Sequence, residues 1–221
     1  PGNQSDAPTF RSLLGDLVAR CRAVCPSLSD ITLVFDKGNN AADNLEAVAA
    51  AKLHFIGSLV PTQHPDRLAL PPAKLQPGDG FPSVRAHRLK KTVYGVERTV
   101  LVTFNQELYD AQVQTIEREV AKRILELHAL QESLGRWQRG ETRAGRRPTV
   151  EGTQRKVDAI RSGRHMRELI ALEVTAGEDH LPRLTFGPDR DAFSHLAGTL
   201  LGKNLLFTDR EDWTDAQIVA G

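Results

Sequence analysis

The chain has 221 residues, 40% of them hydrophobic, with 29 Lys plus Arg against 28 Asp plus Glu and a formal net charge of +1. That balance excludes a disordered chain, which is too polar to offset the entropy of folding, and no run approaches the roughly 18 consecutive apolar residues of a membrane-spanning helix. Pro1 to Asp6 carry neither the basic start nor the apolar core of an export signal, and Cys21 and Cys25, four apart in a helical pattern, read as reduced thiols of a cytosolic protein.

In chain order, Asp6 is placed to cap a helix whose apolar residues Phe10, Leu13, Leu14, Leu17, Val18, Cys21 and Val24 follow one face, with Pro26 as its stop. Ile31 to Phe35 is a short run that is apolar on both faces, the pattern of a central strand covered on each side, and it ends at Asp36-Lys37-Gly38-Asn39. An Ala-rich helical stretch, Asp43 to Lys52, leads into a second apolar run, Leu53 to Val60. Strand, helix and strand in about thirty residues form a parallel crossover. In open α/β sheets the working groups lie beyond the carboxyl ends of such strands.

Pro, Gly and Asp crowd residues 61–80 and open an insertion of different character. Lys91 to Asn105 reads as a hairpin turning at Gly95. Asn105 is placed to cap a long helix with the stripe Val113, Ile116, Val120, Ile124, Leu127, Leu130 and Leu134, broken by the segment Arg139 to Pro148. Thr149 caps a shorter helix bearing Val157 and Ile160 and closed by Gly163, which is the expected packing partner of the long one, with an arginine-rich loop at the hairpin tip. Strands follow at Leu169 to Thr175 and Arg183 to Phe186, then a helix from Asp189 to Leu201, a buried strand at Leu205 to Phe207, and a last helix capped by Thr214. That helix has less than two turns before Gly221, so the reading frame is expected to continue.

Few residues stand out as chemistry. Asp36, at the tip of a strand before a sharp Gly38 turn, suits a metal ligand, while its position alone better suits an Asp capping the next turn. The seven histidines show no metal-ligand spacing, and no phosphate loop or nucleophile elbow is present. Asp209, Glu211, Asp212 and Asp215 form an acidic cluster that reads as turn and helix-start residues. Charge is uneven. Residues 136–167 hold ten basic and three acidic side chains, a local +7, and the remainder is therefore −6. Such asymmetry points to a polyanionic partner, with a solvated charged face as the alternative.

The motifs Val34-Phe35-Asp36-Lys37-Gly38-Asn39, Phe55-Ile56-Gly57-Ser58-Leu59, Tyr94-Gly95-Val96-Glu97-Arg98-Thr99-Val100 and Leu206-Phe207-Thr208-Asp209-Arg210-Glu211-Asp212-Trp213, in that order after Pro1 to Asp6, resemble the bacterial insertion-sequence transposases of the IS-four type. The resemblance covers essentially the whole chain. It implies an α/β, ribonuclease-H-like mixed-sheet core, residues 1–60 and 203–221, interrupted by a helix and hairpin insertion at 61–202 and truncated at both ends. It further implies an Asp-Asp-Glu set binding Mg2+ or Mn2+, in which Asp36 matches the second Asp. The first Asp belongs to a strand upstream of residue 1, and the Glu to a Tyr-Arg-Glu-Lys helix just beginning at Thr214. The implied activity is DNA transposition by strand cleavage and transfer, with double-stranded DNA as partner, a homodimer in the synaptic complex and a cytoplasmic, nucleoid-associated location. With one carboxylate of three, this chain alone is expected to be inactive. Arg136, Arg139, Arg143, Arg146, Arg147, Arg155 and Lys156 are the expected DNA contacts, arginine being planar, permanently charged and bidentate toward phosphate. Two rival readings are a non-catalytic DNA-binding or interaction remnant and a metal-dependent nuclease using Asp36 with Asp209.

Overall fold

A computed structural model describes residues 6–24, 30–78 and 81–221. The cap at Asp6, the side chain of Phe10, Cys25 and the stop at Pro26 lie outside the described residues and side chains; Cys21 is a free thiol. The chain divides into two compact units, residues 1–109 with 199–221 and residues 110–198.

The first unit holds helix α1 (Asp6–Val24), strand β1 (Thr32–Phe35), helix α2 (Ala42–Ala50), strand β2 (His54–Leu59), the short helix α3 (Pro65–Leu68) and strands β3 (Gln76–Gly78), β4 (Phe81–Val93) and β5 (Val96–Asn105). The expected crossover is present: β1 and β2 are parallel neighbours, Thr32 to Phe35 facing His54 to Gly57, with α2 between them in sequence. The chain turns from β4 to β5 through Tyr94 and Gly95, at φ of 51° and 77°. Two adjacent positive φ values make a tight hairpin turn whose twist suits the strands, and glycine takes the second at no steric cost.

The second unit begins within helix α4 (Gln106–Gln138) and contains α5 (Val150–Ile160), the short helix α6 (Met166–Leu169), strands β6 (Ile170–Ala176) and β7 (Pro182–Pro188) and helix α7 (Arg190–Thr199). The chain then returns to the first unit as strand β8 (Lys203–Thr208) and helix α8 (Asp215–Ala220). Three of the expected caps form. Asn105 Oδ1 accepts from the Leu108 amide at 3.0 Å, Thr149 Oγ1 from Gly152 at 3.0 Å, and Thr214 with Gln217 makes a reciprocal capping box.

The sheet of the first unit is mixed, in the order β1-β2-β8-β5-β4-β3, so the fold is α/β with one parallel pair in an otherwise antiparallel sheet. Two features depart from expectation. The β4–β5 hairpin, placed within the 61–202 insertion by sequence, pairs along β8 in this sheet, Val100 opposite Phe207. And β1 is not central: among the described residues it pairs with β2 alone, and Val34 is 58% exposed. An apolar run reports what could be covered, not which neighbour covers it.

The core on one face gathers Leu14, Leu45, Val48, Phe55, Val100, Val102 and Phe207. On the other, Ile218 of α8 packs on Ile56, Ala86 and Leu101. The α1 stripe is only partly used: Leu14 is buried, while Leu13, Leu17 and Val24 are exposed. In the second unit α5 lies along the β6–β7 ribbon, and α4 is fastened to the same ribbon. Gln131 and Gln138 each donate from Nε2 to a β7 carbonyl, of Leu184 and Pro182, at 2.8 Å, and the His128 ring meets Phe186 edge-on at 4.8 Å. The β6–β7 ribbon therefore shares the burial of the long helix.

Candidate metal ligand and nucleic-acid surface

Asp36 follows β1 at its carboxyl end, and the parallel register sets it beside Ser58 of β2. Its Oδ1 accepts from the Lys37 amide at 2.7 Å and from Ser58 Oγ at 3.1 Å. These two bonds, with the Lys37 charge behind them, hold the carboxyl below its ordinary value, so it is ionised at neutral pH. Of the two readings of Asp36 made from sequence, the cap is formed: one oxygen caps the Lys37–Asn39 turn, while Oδ2 makes no hydrogen bond among the described residues.

Around it the anchoring is tight. Asn40 donates from Nδ2 to the Ser58 carbonyl at 2.6 Å, and its Oδ1 is buried with no hydrogen bond. Gly57, between Ile56 and Ser58, is required by close approach: a Cβ there would lie 2.6 Å from Phe207 Cε1.

Asp209 does not join Asp36. Its carboxylate accepts from the Phe55 amide at 2.9 Å and meets His54 Nδ1 at 3.0 Å, at the start of β2 and so at the opposite end of the β1–β2 pair. A nuclease built from those two acids has no common site. Arg210 next to it is a structural pin, buried, bonded to Thr32 Oγ1 and the Asp30 carbonyl at 3.1 Å each and lying over the Trp213 ring. Among the described residues no three His, Cys, Asp or Glu side chains gather as a metal site. Asp36 leaves one carboxylate oxygen unbonded, and a single oxygen does not hold a divalent ion by itself.

Sequence reasoning missed Ser58 and Arg88. Ser58 is recoverable from the parallel pairing of two quoted motifs. Arg88 on β4 donates from Nε to Asp215 Oδ1 at 2.7 Å and from Nη2 to the Trp213 carbonyl, strapping the first turn of α8 to the sheet. No local pattern announces a contact across more than a hundred residues.

The seven candidate DNA contacts all lie in the second unit, on α4, the loop and α5, and all are exposed. Their charges are not equally available. Arg139 is forked between Glu132 and Glu141, which push its pKa further up. Arg147 Nη2 donates to the Asp179 carbonyl at 2.9 Å, Arg155 pairs with Glu151, and the Arg136 charge acts on Glu141. Arg143, Arg146 and Lys156 make no ion pair or hydrogen bond among the described residues. No family model, curated protein or solved structure matches the chain. No helix among the described residues is long and apolar enough to cross a membrane.

Proposed function

We propose that the chain is part of a DDE transposase with a ribonuclease-H-like core, in which Asp36 is one of three metal-binding carboxylates and the arginine-rich loop of the second unit holds DNA. The observation that carries this reading is the ionised Asp36 at the carboxyl end of β1, with one carboxylate oxygen unbonded, beside a strand edge that pairs with nothing described. A further strand pairing along this edge would end near Asp36, where the first acid is expected. Helix α8 adds support. It lies against β2, Ile218 packing on Ile56 and Gly221 reaching the same side chain, and β2 is the strand that carries Ser58.

In such enzymes bound Mg2+ or Mn2+ supplies the Lewis acidity for phosphodiester cleavage, and carboxylates from several elements are needed to hold it. This chain's contribution is one charged oxygen held by Ser58 and the Lys37 amide. The chain alone is therefore inactive.

Double-stranded DNA is the proposed partner of the basic loop. Three unpaired cations, Arg143, Arg146 and Lys156, engaging three phosphates give a slope of log K against log salt of about −0.9 × 3, or about −2.7. Fluorescence anisotropy of a labelled duplex across a salt series tests it, and binding without salt dependence would refute it. The catalytic assignment is tested in the open reading frame, which must supply an Asp-ended strand upstream and a Tyr-Arg-Glu-Lys helix downstream. A transposase bearing both and keeping full strand transfer after Asp36→Ala would overturn it.

A further inference from the structure

The second unit contains a cleft of about 370 Å3 whose two halves differ in chemistry. The size falls within the roughly 300–1,000 Å3 of small-molecule sites. One half is Leu134 and Trp137 of α4; the other carries Arg146, Arg147, Arg155 and Lys156. Glu151 is the single carboxylate in the lining, and it is already paired with Arg155.

Two features of the lining point to a ligand. Trp137 is half-buried at the cleft, yet its ring stacks on nothing and its indole N–H has no acceptor among the described residues. A tryptophan at such a cleft presents an apolar ring face and an N–H donor that a bound ring can use. On the facing half, Arg146 and Lys156 have no counter-charge, while Arg147 is tied to the Asp179 carbonyl and so fixes the loop that forms this wall. A bare phosphate would leave the indole unused, and an apolar ligand would leave the cations uncompensated. A planar heteroaromatic ring joined to a phosphate answers both.

We infer that this cleft binds a nucleoside phosphate, its base stacked on Trp137 and its phosphate held by Arg146 and Lys156. The source is a free mononucleotide or an unpaired nucleotide of a DNA strand, and only the second rests on the DNA reading above. Stacking on an aromatic side chain tolerates any base, so the cleft selects for nucleotide over sugar phosphate rather than among bases.

The sequence has two tryptophans, so Trp213→Phe leaves Trp137 as sole reporter. Its emission is followed while deoxythymidine monophosphate, ribose 5-phosphate and inorganic phosphate are added in turn. The mononucleotide is expected to quench saturably and to bind roughly tenfold more tightly than ribose 5-phosphate. Arg146→Ala and Lys156→Ala, both at exposed positions, each weaken it several-fold without moving the urea midpoint. No saturable quench by the mononucleotide, or equal affinity for ribose 5-phosphate, overturns the inference. A duplex with a single-stranded tail that quenches where a blunt duplex does not assigns the nucleotide to DNA; mononucleotide quenching with the tailed duplex silent assigns it to the free pool. Salt-dependent binding of blunt duplex with no mononucleotide binding sinks the cleft and spares the DNA reading, and the converse sinks only the latter.

Discussion

Gly57 and Phe207 are register partners across the antiparallel β2–β8 ladder, and the ring of Phe207 fills the space that a side chain at 57 would need. The same ring meets Phe55 edge-on at 5.3 Å and is fully buried. Gly57→Ala therefore overpacks a site that has no slack, at a cost of about 1–3 kcal/mol. Urea denaturation should show the lowered midpoint, and Phe207→Leu in the same chain should recover part of it. An additive double mutant would mean that the two positions do not share the space.

Asp36 and Ser58 make a second testable pair. The Ser58 hydroxyl is one of the bonds that depress the Asp36 carboxyl, so Ser58→Ala should move its titration up toward the ordinary 3.8, read from the carboxyl carbon by NMR. The sign of the linkage follows: a depressed acid contributes stability that is present above the unfolded value and lost as pH falls through the folded one. The Asp36 carboxyl is fully exposed, so the effect on folding is small and the titration is the informative readout.

Lys203 is the opposite case. It enters β8 as a buried lysine, its ammonium donating to the carbonyls of Leu68 and Leu70, the latter at 2.9 Å, and burial holds its pKa below the ordinary 10.5. Between the lowered folded value and 10.5 the unfolded chain binds the proton and the folded chain does not. Stability from this group therefore rises with pH across that window. Lys203→Met should remove that rise and, by leaving two carbonyls without their donor, lower stability by about 1–3 kcal/mol. Denaturation midpoints from neutral to alkaline pH measure both.

Arg139 was expected to reach DNA, yet Glu132 and Glu141 already occupy its guanidinium. Arg139→Ala should thus change duplex affinity little. Replacing both carboxylates, by Glu132→Gln with Glu141→Gln, should release the arginine and steepen the salt slope by about 0.9. An unchanged slope would mean that Arg139 faces away from the bound duplex.

Arg88→Met should loosen the start of α8 while leaving β4 paired. Hydrogen exchange at residues 215–220 should quicken ahead of exchange in β4 and β5, because the lost bonds are those to Asp215 and the Trp213 carbonyl. Equal protection would assign α8 to the packing of Ile218 alone.

Local order was legible in the sequence because local chemistry sets it. Asn105, Thr149 and Thr214 all cap as their side chains dictate, and the β1-α2-β2 crossover followed from two apolar runs around an Ala-rich helix. Placement was less legible. The β4 strand, Phe81–Val93, buries Val84 and Ala86 on one face and Val93 on the other, a pattern that does not name β5, still less the route through β5 to β8. Likewise the charge of residues 136–167 was countable, whereas the carboxylates that cancel Arg139 and Arg155 become visible only once side chains are placed. At the site, Asp36 was found by its position at a strand end. Ser58 needed the register, and the separation of Asp209 from Asp36, at the other end of β2, needed the antiparallel run of β8.

Strand β8 sits between β2 and β5, although about a hundred residues separate it from the end of β5 in sequence. The two halves of the sheet, β1-β2 and β5-β4-β3, therefore cannot close on each other until the last of the sheet's strands in chain order arrives. Loop closure of that length is entropically costly before any contact rewards it, so sheet completion is expected to be the slow phase of folding. During synthesis the edges of β2 and β5 wait unpaired while the whole second unit is made. Residues 110–198 hold their own β6–β7 ribbon and helices, and they can order first, as a foldon that emerges before the sheet that brackets it.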